Sequence, residues 1–194
     1  MQIQLPAFLD PVHDGQRTFR TVLDAMARPG RVGATAEIVA PAPWVSAAAA
    51  VCLTLLDLET RLWVQPGFSV EGQNWVQFHT GCRWGRSPQD AHFALIWDAA
   101  TCPPLSRFHP GSAEFPETST TLILQLPALS GGQPMTLTGP GILGTQLMAP
   151  PLSPSFWAQW QANHQAYPLG VDVLCCAGTS LVALPRTAQA TPTA

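Results

Sequence analysis

The chain has no lysine: all nine of its basic residues are arginine, in a sequence of 194 residues. That absence removes several chemistries at once. An internal Schiff base with pyridoxal phosphate needs a lysine amine, and so does the phosphate-loop motif of nucleotide-binding enzymes. Charge of either sign is scarce. Asp, Glu, Lys and Arg together make up 11% of the chain, against roughly 25% in an ordinary soluble domain. With a net charge of −3 and no basic run, the composition argues against nucleic acid as a partner. Cys-x-x-Cys pairs are also missing. Cys52, Cys82, Cys102, Cys175 and Cys176 form an odd, scattered set, which reads as reduced thiols rather than a disulfide frame. The N-terminal MQIQLPAFLD lacks the basic start and apolar core of a signal peptide. The longest apolar run, 44–56, is interrupted by Ser46 and Thr54 and falls short of the roughly 20 residues of a membrane span. The expected setting is cytoplasmic, with no membrane partner.

Apolar residues, by contrast, are abundant: they make up 46% of the chain and include seven tryptophans. A chain of this length can build a full core as one domain. So few charges cover a monomer's surface poorly, which points to part of the exterior being buried against other subunits. The organising stretch is 10–30. Asp10 caps a helix, Pro11 suits its first turn, and Pro29-Gly30 ends it. Phe19, Val22, Leu23 and Met26 recur at helical spacing and are expected to face the core. Arg17, Asp24 and Arg28 take the other side, with Arg20 at the boundary.

The expected fold class is α/β: a single domain with a mixed β-sheet flanked by helices, over residues 1–186, followed by a flexible tail at 187–194. Residues 31–39 read as extended. The alanine- and leucine-rich segment 46–58 reads as a buried helix and 61–65 as a strand. Residues 70–79 allow a helix, weakened by Gly72, with Val76 and Phe78 inward. HFALIW (92–97) and TTLILQL (120–126) read as buried central strands. The loop-rich stretch 98–117 has room for a short helix at 105–108. Residues 135–138 are expected to pair back on 120–126 as a hairpin, and 154–165 to form a helix presenting Phe156, Trp157 and Trp160. The runs 171–176 and 181–184 complete the sheet as an antiparallel edge hairpin, with Cys175 and Cys176 on opposite faces.

No self-sufficient active site emerges. Gly139-Pro140-Gly141-Ile142-Leu143-Gly144 matches G-x-G-x-x-G. However, Pro150-Pro151 cut off any following helix, no acidic residue lies about 20 positions on, and Pro140 removes a donor. His79, Cys82, His92 and Cys102 fit no closed zinc spacing. No catalytic, cofactor-binding or metal-binding residue is assigned. Arg17, Arg20 and Arg186, with Arg28, are the candidate anion or partner contacts, because guanidinium forks suit phosphate and carboxylate alike. The plainer reading pairs each with an acid such as Asp14, Asp24 or Glu59. Arg107 and His109 share a long loop, where ligand contacts often sit.

An ordered set of motifs spans residues 5–187. Phe8-Leu9-Asp10-Pro11-Val12 leads through Gln16, Phe19, Arg20, Leu23, Ala25 and Met26 to Pro29-Gly30, with Phe8 one step out of register. Leu53-Thr54-Leu55-Leu56-Asp57, Phe78-His79-Thr80, Thr121-Leu122-Ile123-Leu124 and Leu129-Ser130-Gly131-Gly132 follow. Leu137-Thr138-Gly139-Pro140-Gly141-Ile142, Pro168-Leu169-Gly170-Val171-Asp172 and Leu184-Pro185-Arg186-Thr187 complete it. This set resembles the PhnH family, the H subunits of the bacterial carbon–phosphorus lyase core complex. The resemblance implies a fold similar to the large domain of pyridoxal-phosphate-dependent transferases, without the cofactor. It also implies a homodimer joined to the G, I and J subunits. Its implied role is support for replacing the adenine of ATP by an alkylphosphonate, giving a ribose 1-phosphonate 5-triphosphate, with ATP or the phosphonate meeting the chain at a shared site. The nucleosidase step is credited to the I subunit, so the resemblance carries no catalytic residue onto this chain. The other reading is a stand-alone nucleotide- or phosphonate-binding module or enzyme with an arginine-lined pocket.

Overall fold

A computed structural model describes residues 7–193. Residues 1–6, on which the reading of the N-terminus partly rests, and Ala194 lie outside the described part.

The first helix, α1 (Pro11–Ala27), begins as its sequence dictates: the Asp10 carboxylate accepts from the backbone N–H of His13 at 3.1 Å, and Pro11 occupies the first turn. At its end Arg28 N–H donates to the Asp24 carbonyl at 2.9 Å, and Pro29-Gly30 reverse the chain with Gly30 at φ +82°. Its buried face is only half the expected one: Val22 is in the core and Met26 packs against it, but Phe19 and Leu23 are not. Thr18, Val22 and Ala25 point inward, whereas Phe19 and Leu23 are 49% and 58% exposed. Small side chains win that face because α1 packs on α2 (Ser46–Leu55), whose Ala47–Ala50 are fully buried. Bulky residues would hold the two helices apart.

Seven strands form the main sheet in the order β1-β9-β8-β5-β4-β2-β3. β2 (Arg61–Val64), β3 (Arg83–Trp84), β4 (Phe93–Ile96), β5 (Thr121–Gln125) and β8 (Asp172–Ala177) run parallel; β9 (Ser180–Leu184) is reversed, pairing antiparallel with β8 on one side and with β1 (Gly33–Ala34) on the other. The extended reading of 31–39 thus narrows to a two-residue strand, and the β8–β9 hairpin lies one strand inside the edge. Alternation along the strands feeds two cores. Leu95, Ile123, Leu174 and Cys176 face α1, α2 and α3 (Val70–Thr80); Ile96, Leu122, Leu124, Val173 and Cys175 face α4 (Pro154–Gln165) and a small second sheet. The adjacent cysteines do point to opposite faces. In α3, Trp75 and Val76 are buried but Phe78 is exposed. Residues two apart on a helix cannot share a face, so Val76 inward sends Phe78 outward.

The second sheet has the order β10-β6-β7, all antiparallel, from β6 (Met135–Thr138), β7 (Gln146–Met148) and β10 (Gln189–Pro192). The expected pairing of 135–138 with 120–126 does not form. Both edges of β5 are taken by its parallel neighbours β4 and β8, which leaves no ladder for a hairpin partner. Of the tail at 187–194, Gln189–Pro192 are β10, and the Trp160 indole of α4 donates to the Ala188 carbonyl at 3.0 Å. Among the described residues no helix is long and apolar enough to cross a membrane.

Candidate functional site

Ligands of open α/β sheets usually sit beyond the carboxyl ends of the parallel strands. In this chain two buried glutamines occupy the ends of β2 and β5. Beyond β2, Gln65 Oε1 accepts from the N–H groups of Trp97 and Asp98 at 3.1 and 3.0 Å. Its amide donates to the Asp98 carbonyl and the Thr101 hydroxyl, both at 3.1 Å. At the end of β5, Gln125 Oε1 accepts from Val45 N–H, the N-cap of α2, at 2.6 Å, and its amide donates to the Pro43 carbonyl at 3.2 Å. Ala47 N–H, in the first turn of α2, donates to the Gly178 carbonyl at 2.8 Å. The Val45 and Ala47 N–H groups at the start of α2, the kind of donor that cradles a phosphate in many such folds, are therefore occupied by the protein's own side chain and carbonyl. Asp98 is equally committed, accepting from Ala100 N–H at 3.0 Å and the Thr101 hydroxyl at 2.6 Å.

The glycine-rich motif 139–144 joins β6 to β7 and opens no helix. Its purpose is steric. A Cβ at Gly141 (φ +81°) would lie 1.9 Å from the Ala27 carbonyl oxygen, so the turn seats directly against the end of α1.

Arg186 is 9% exposed, and all five of its guanidinium N–H groups are engaged. Nε donates to Asp172 Oδ1 at 3.2 Å and Nη2 to Oδ2 at 2.5 Å, while Nη2 also donates to the Ser119 hydroxyl. Nη1 reaches the Pro116 and Pro168 carbonyls at 3.0 and 3.3 Å. That geometry ties together the amino ends of β5 and β8 and leaves no donor for an external anion.

The histidines and cysteines are dispersed. His79 packs edge-on against Trp75, with centroids 5.1 Å apart; His109 Nδ1 accepts from Gly111 N–H at 3.1 Å; the Cys102 thiol faces the Pro103 carbonyl. Burial, with Arg61 next in importance, pushes the His92 imidazole below its ordinary value. Burial pushes the thiols up, Cys102 to about 11 and Cys175 to about 12, with Cys52, Cys82 and Cys176 moved the same way. All five are free, protonated and poor nucleophiles. Among the described residues no group of three His, Cys, Asp or Glu side chains is placed to hold a metal ion.

The remaining candidates, Arg17 and Arg20, do come together. They line a cleft of about 400 Å³ between α1 and the chain returning through Arg31–Gly33, with His13, Gln16, Thr21, Asp24 and Arg31. Arg31 was missed by the sequence reading. Only the reversal at Pro29-Gly30, and the fit of Gly33 against Thr21 (a Cβ there would be 2.6 Å from Thr21 Cγ2), bring it alongside the helix. The ion pairs are uneven. Arg17 binds Asp14 at 2.9 Å, while Asp24 serves both Arg28 and Arg31, the latter at 3.5 Å. Arg20 is exposed and has no carboxylate partner among the described residues. Arg107 lies apart, on a cavity with Trp63, Gln65 and Thr101.

Compared with known proteins, residues 6–191 match the family described as bacterial phosphonate metabolism protein (PhnH). The chain belongs to the PhnH family. It is 38% identical over 191 residues to the alpha-D-ribose 1-methylphosphonate 5-triphosphate synthase subunit PhnH of Rhizobium meliloti (strain 1021), covering 97% of this chain and 96% of that one. It is 30% identical over 173 residues to the putative C-P lyase subunit protein HtxG of Stutzerimonas stutzeri, covering 89% and 83%. The motifs that carry the PhnH resemblance hold this fold together. Asp10 caps α1, Gly141 seats the β6–β7 turn on its far end, and the last two motifs meet as the Asp172–Arg186 pair.

Proposed function

We propose that the chain is the H-type subunit of an alpha-D-ribose 1-methylphosphonate 5-triphosphate synthase in phosphonate metabolism, and that it serves there as an accessory subunit rather than as the reaction centre. The full-length identity to the Rhizobium meliloti subunit carries this reading. The glutamines bonded internally at the ends of β2 and β5 and the raised thiols support an accessory role. The helix-flanked sheet, in a chain without lysine, is read as a fold similar to the large domain of pyridoxal-phosphate-dependent transferases, without the cofactor. Its expected partners are a second copy of itself and the G, I and J subunits of a carbon–phosphorus lyase core, in the cytoplasm, acting on ATP and an alkylphosphonate.

The surface suits docking. Val12, Phe19 and Leu23 project from α1 into solvent, and Phe19 lines a cavity of about 560 Å³ with Phe8, Leu53 and His79. Exposed apolar side chains on one helix, in a chain so short of charge, mark an interface. The test is to tag the chain in cells grown on methylphosphonate as sole phosphorus source. The other synthase subunits should co-purify with it, and a Phe19→Asp, Leu23→Asp double variant should lose them while its thermal midpoint stays put. A chain that purifies alone and turns over substrate unaided would sink the proposal.

A further inference from the structure

We propose that the cleft between α1 and the Arg31–Gly33 return is a binding site for a linear triphosphate. The inference rests on the subunit reading above, because the curated relative's name specifies a 5-triphosphate product; the site itself rests on the charges. Arg17, Arg20 and Arg31 line one cleft with His13 and Gln16, and Asp24 is the only carboxylate among the lining residues. Asp24 is shared between Arg28 and Arg31, and Arg20 has no acidic partner among the described residues. With Arg17 held by Asp14 and His13 by Asp10, the four arginines on this side of α1 meet three carboxylates, and the charge of Arg20 goes unanswered, in a chain whose net charge is −3. The volume of about 400 Å³ falls within the range of about 300–1,000 Å³ usual for small-molecule sites.

The shape of the array favours an extended polyanion over a single phosphate. His13, Arg17 and Arg20 run along about 10 Å of one helix side, with Arg31 facing them from the returning chain. Guanidinium forks placed along a line can each take oxygens of successive phosphates. The same triphosphate chemistry occurs in a nucleotide, in a ribose phosphonate triphosphate and in inorganic tripolyphosphate, so the ligand's other end is left to the test.

The experiment titrates the full chain calorimetrically, at low salt, with sodium tripolyphosphate, ATP, inorganic phosphate and methylphosphonate. Tripolyphosphate and ATP should bind with similar affinity, phosphate and methylphosphonate much more weakly, and added salt should weaken all of it. Arg20→Gln and Arg31→Gln should each weaken tripolyphosphate by about tenfold or more, since each removes charge-assisted hydrogen bonds. Arg83→Gln, an equal charge change at an exposed position on the far edge strand β3, should leave it unchanged. No heat at millimolar tripolyphosphate, equal losses in Arg83→Gln and Arg20→Gln, or binding of ATP without tripolyphosphate would each overturn the site. Co-purification with the other subunits is scored separately. If it is intact while tripolyphosphate gives no heat, the cleft proposal falls alone. If it is lost in the wild type while tripolyphosphate binds, the subunit reading falls alone. If arginine variants lose partners while the wild type binds no triphosphate, these arginines belong to an interface and the site is again overturned.

Discussion

Removing the Arg186 side chain should be the most damaging single change to stability. Its guanidinium is 10% exposed and faces the Asp172 carboxylate, itself 15% exposed, so neither charge is well solvated. Arg186→Ala would leave that carboxylate without its cation, and would also strip a donor from the Ser119 hydroxyl and from the carbonyls of Pro116 and Pro168. Breaking a buried pair from one side typically costs about 3–5 kcal/mol, mostly the penalty of the stranded charge. In urea, with a slope of about 1–3 kcal/mol/M, that shifts the unfolding midpoint down by about 1 M or more. Arg186→Lys keeps the charge but offers three donors in place of five, so it should fall between. Asp172→Ala should cost as much as Arg186→Ala, while the double variant should cost clearly less than the sum, because each single change strands a charge that the double removes. A loss of about 1 kcal/mol or less for Arg186→Ala, the size of an exposed pair, would refute the reasoning.

Two further outcomes follow from local geometry and titration. Gly141→Ala should destabilise by about 2 kcal/mol or more, since the methyl collides with the Ala27 carbonyl at a positive φ; Gly144→Ala, at φ +74° with open space around it, should show only the smaller strain of a left-handed alanine, and equal losses would argue against the α1 contact. The pH profile of stability should fall away at both ends. His92, pushed down from an ordinary 6.5, stabilises the fold above that value and loses its contribution as pH drops toward its native value; the thiols, pushed up from an ordinary 9.0, remain protonated in the fold while the unfolded chain ionises, so stability declines as pH rises past 9.0. A thiol reagent should label Cys102, the one thiol not fully buried, slowly, and the other four only on unfolding; rapid labelling of all five at neutral pH would contradict the burial.

Much of the fold was legible in the chain because it rests on local rules. Asp10-Pro11 and Pro29-Gly30 bracket α1, Ser153-Pro154 opens α4, and the apolar runs at 93–96 and 122–124 suit strands covered on both faces. Composition excluded lysine chemistry and pointed to a partly buried exterior without reference to any contact. What failed locally failed for tertiary reasons. The stripe of Phe19 and Leu23 looked like a core face, but α2 is built of alanines and accepts the smaller stripe of Thr18, Val22 and Ala25. Residues 135–138 looked like a hairpin partner for β5 until both edges of that strand proved taken.

The candidate site divides the same way. Arginines at 17 and 20 on one helix are a property of the sequence; that Arg31 returns beside them, that Asp24 is shared, and that Arg186 turns inward to Asp172 are properties of the folded chain. Helical spacing and capping act within a few residues and are written in the order of the letters. Which charges meet, which glutamines occupy the ends of β2 and β5 and which apolar side chains stay in solvent depend on segments far apart in the chain, and only packing brings them together.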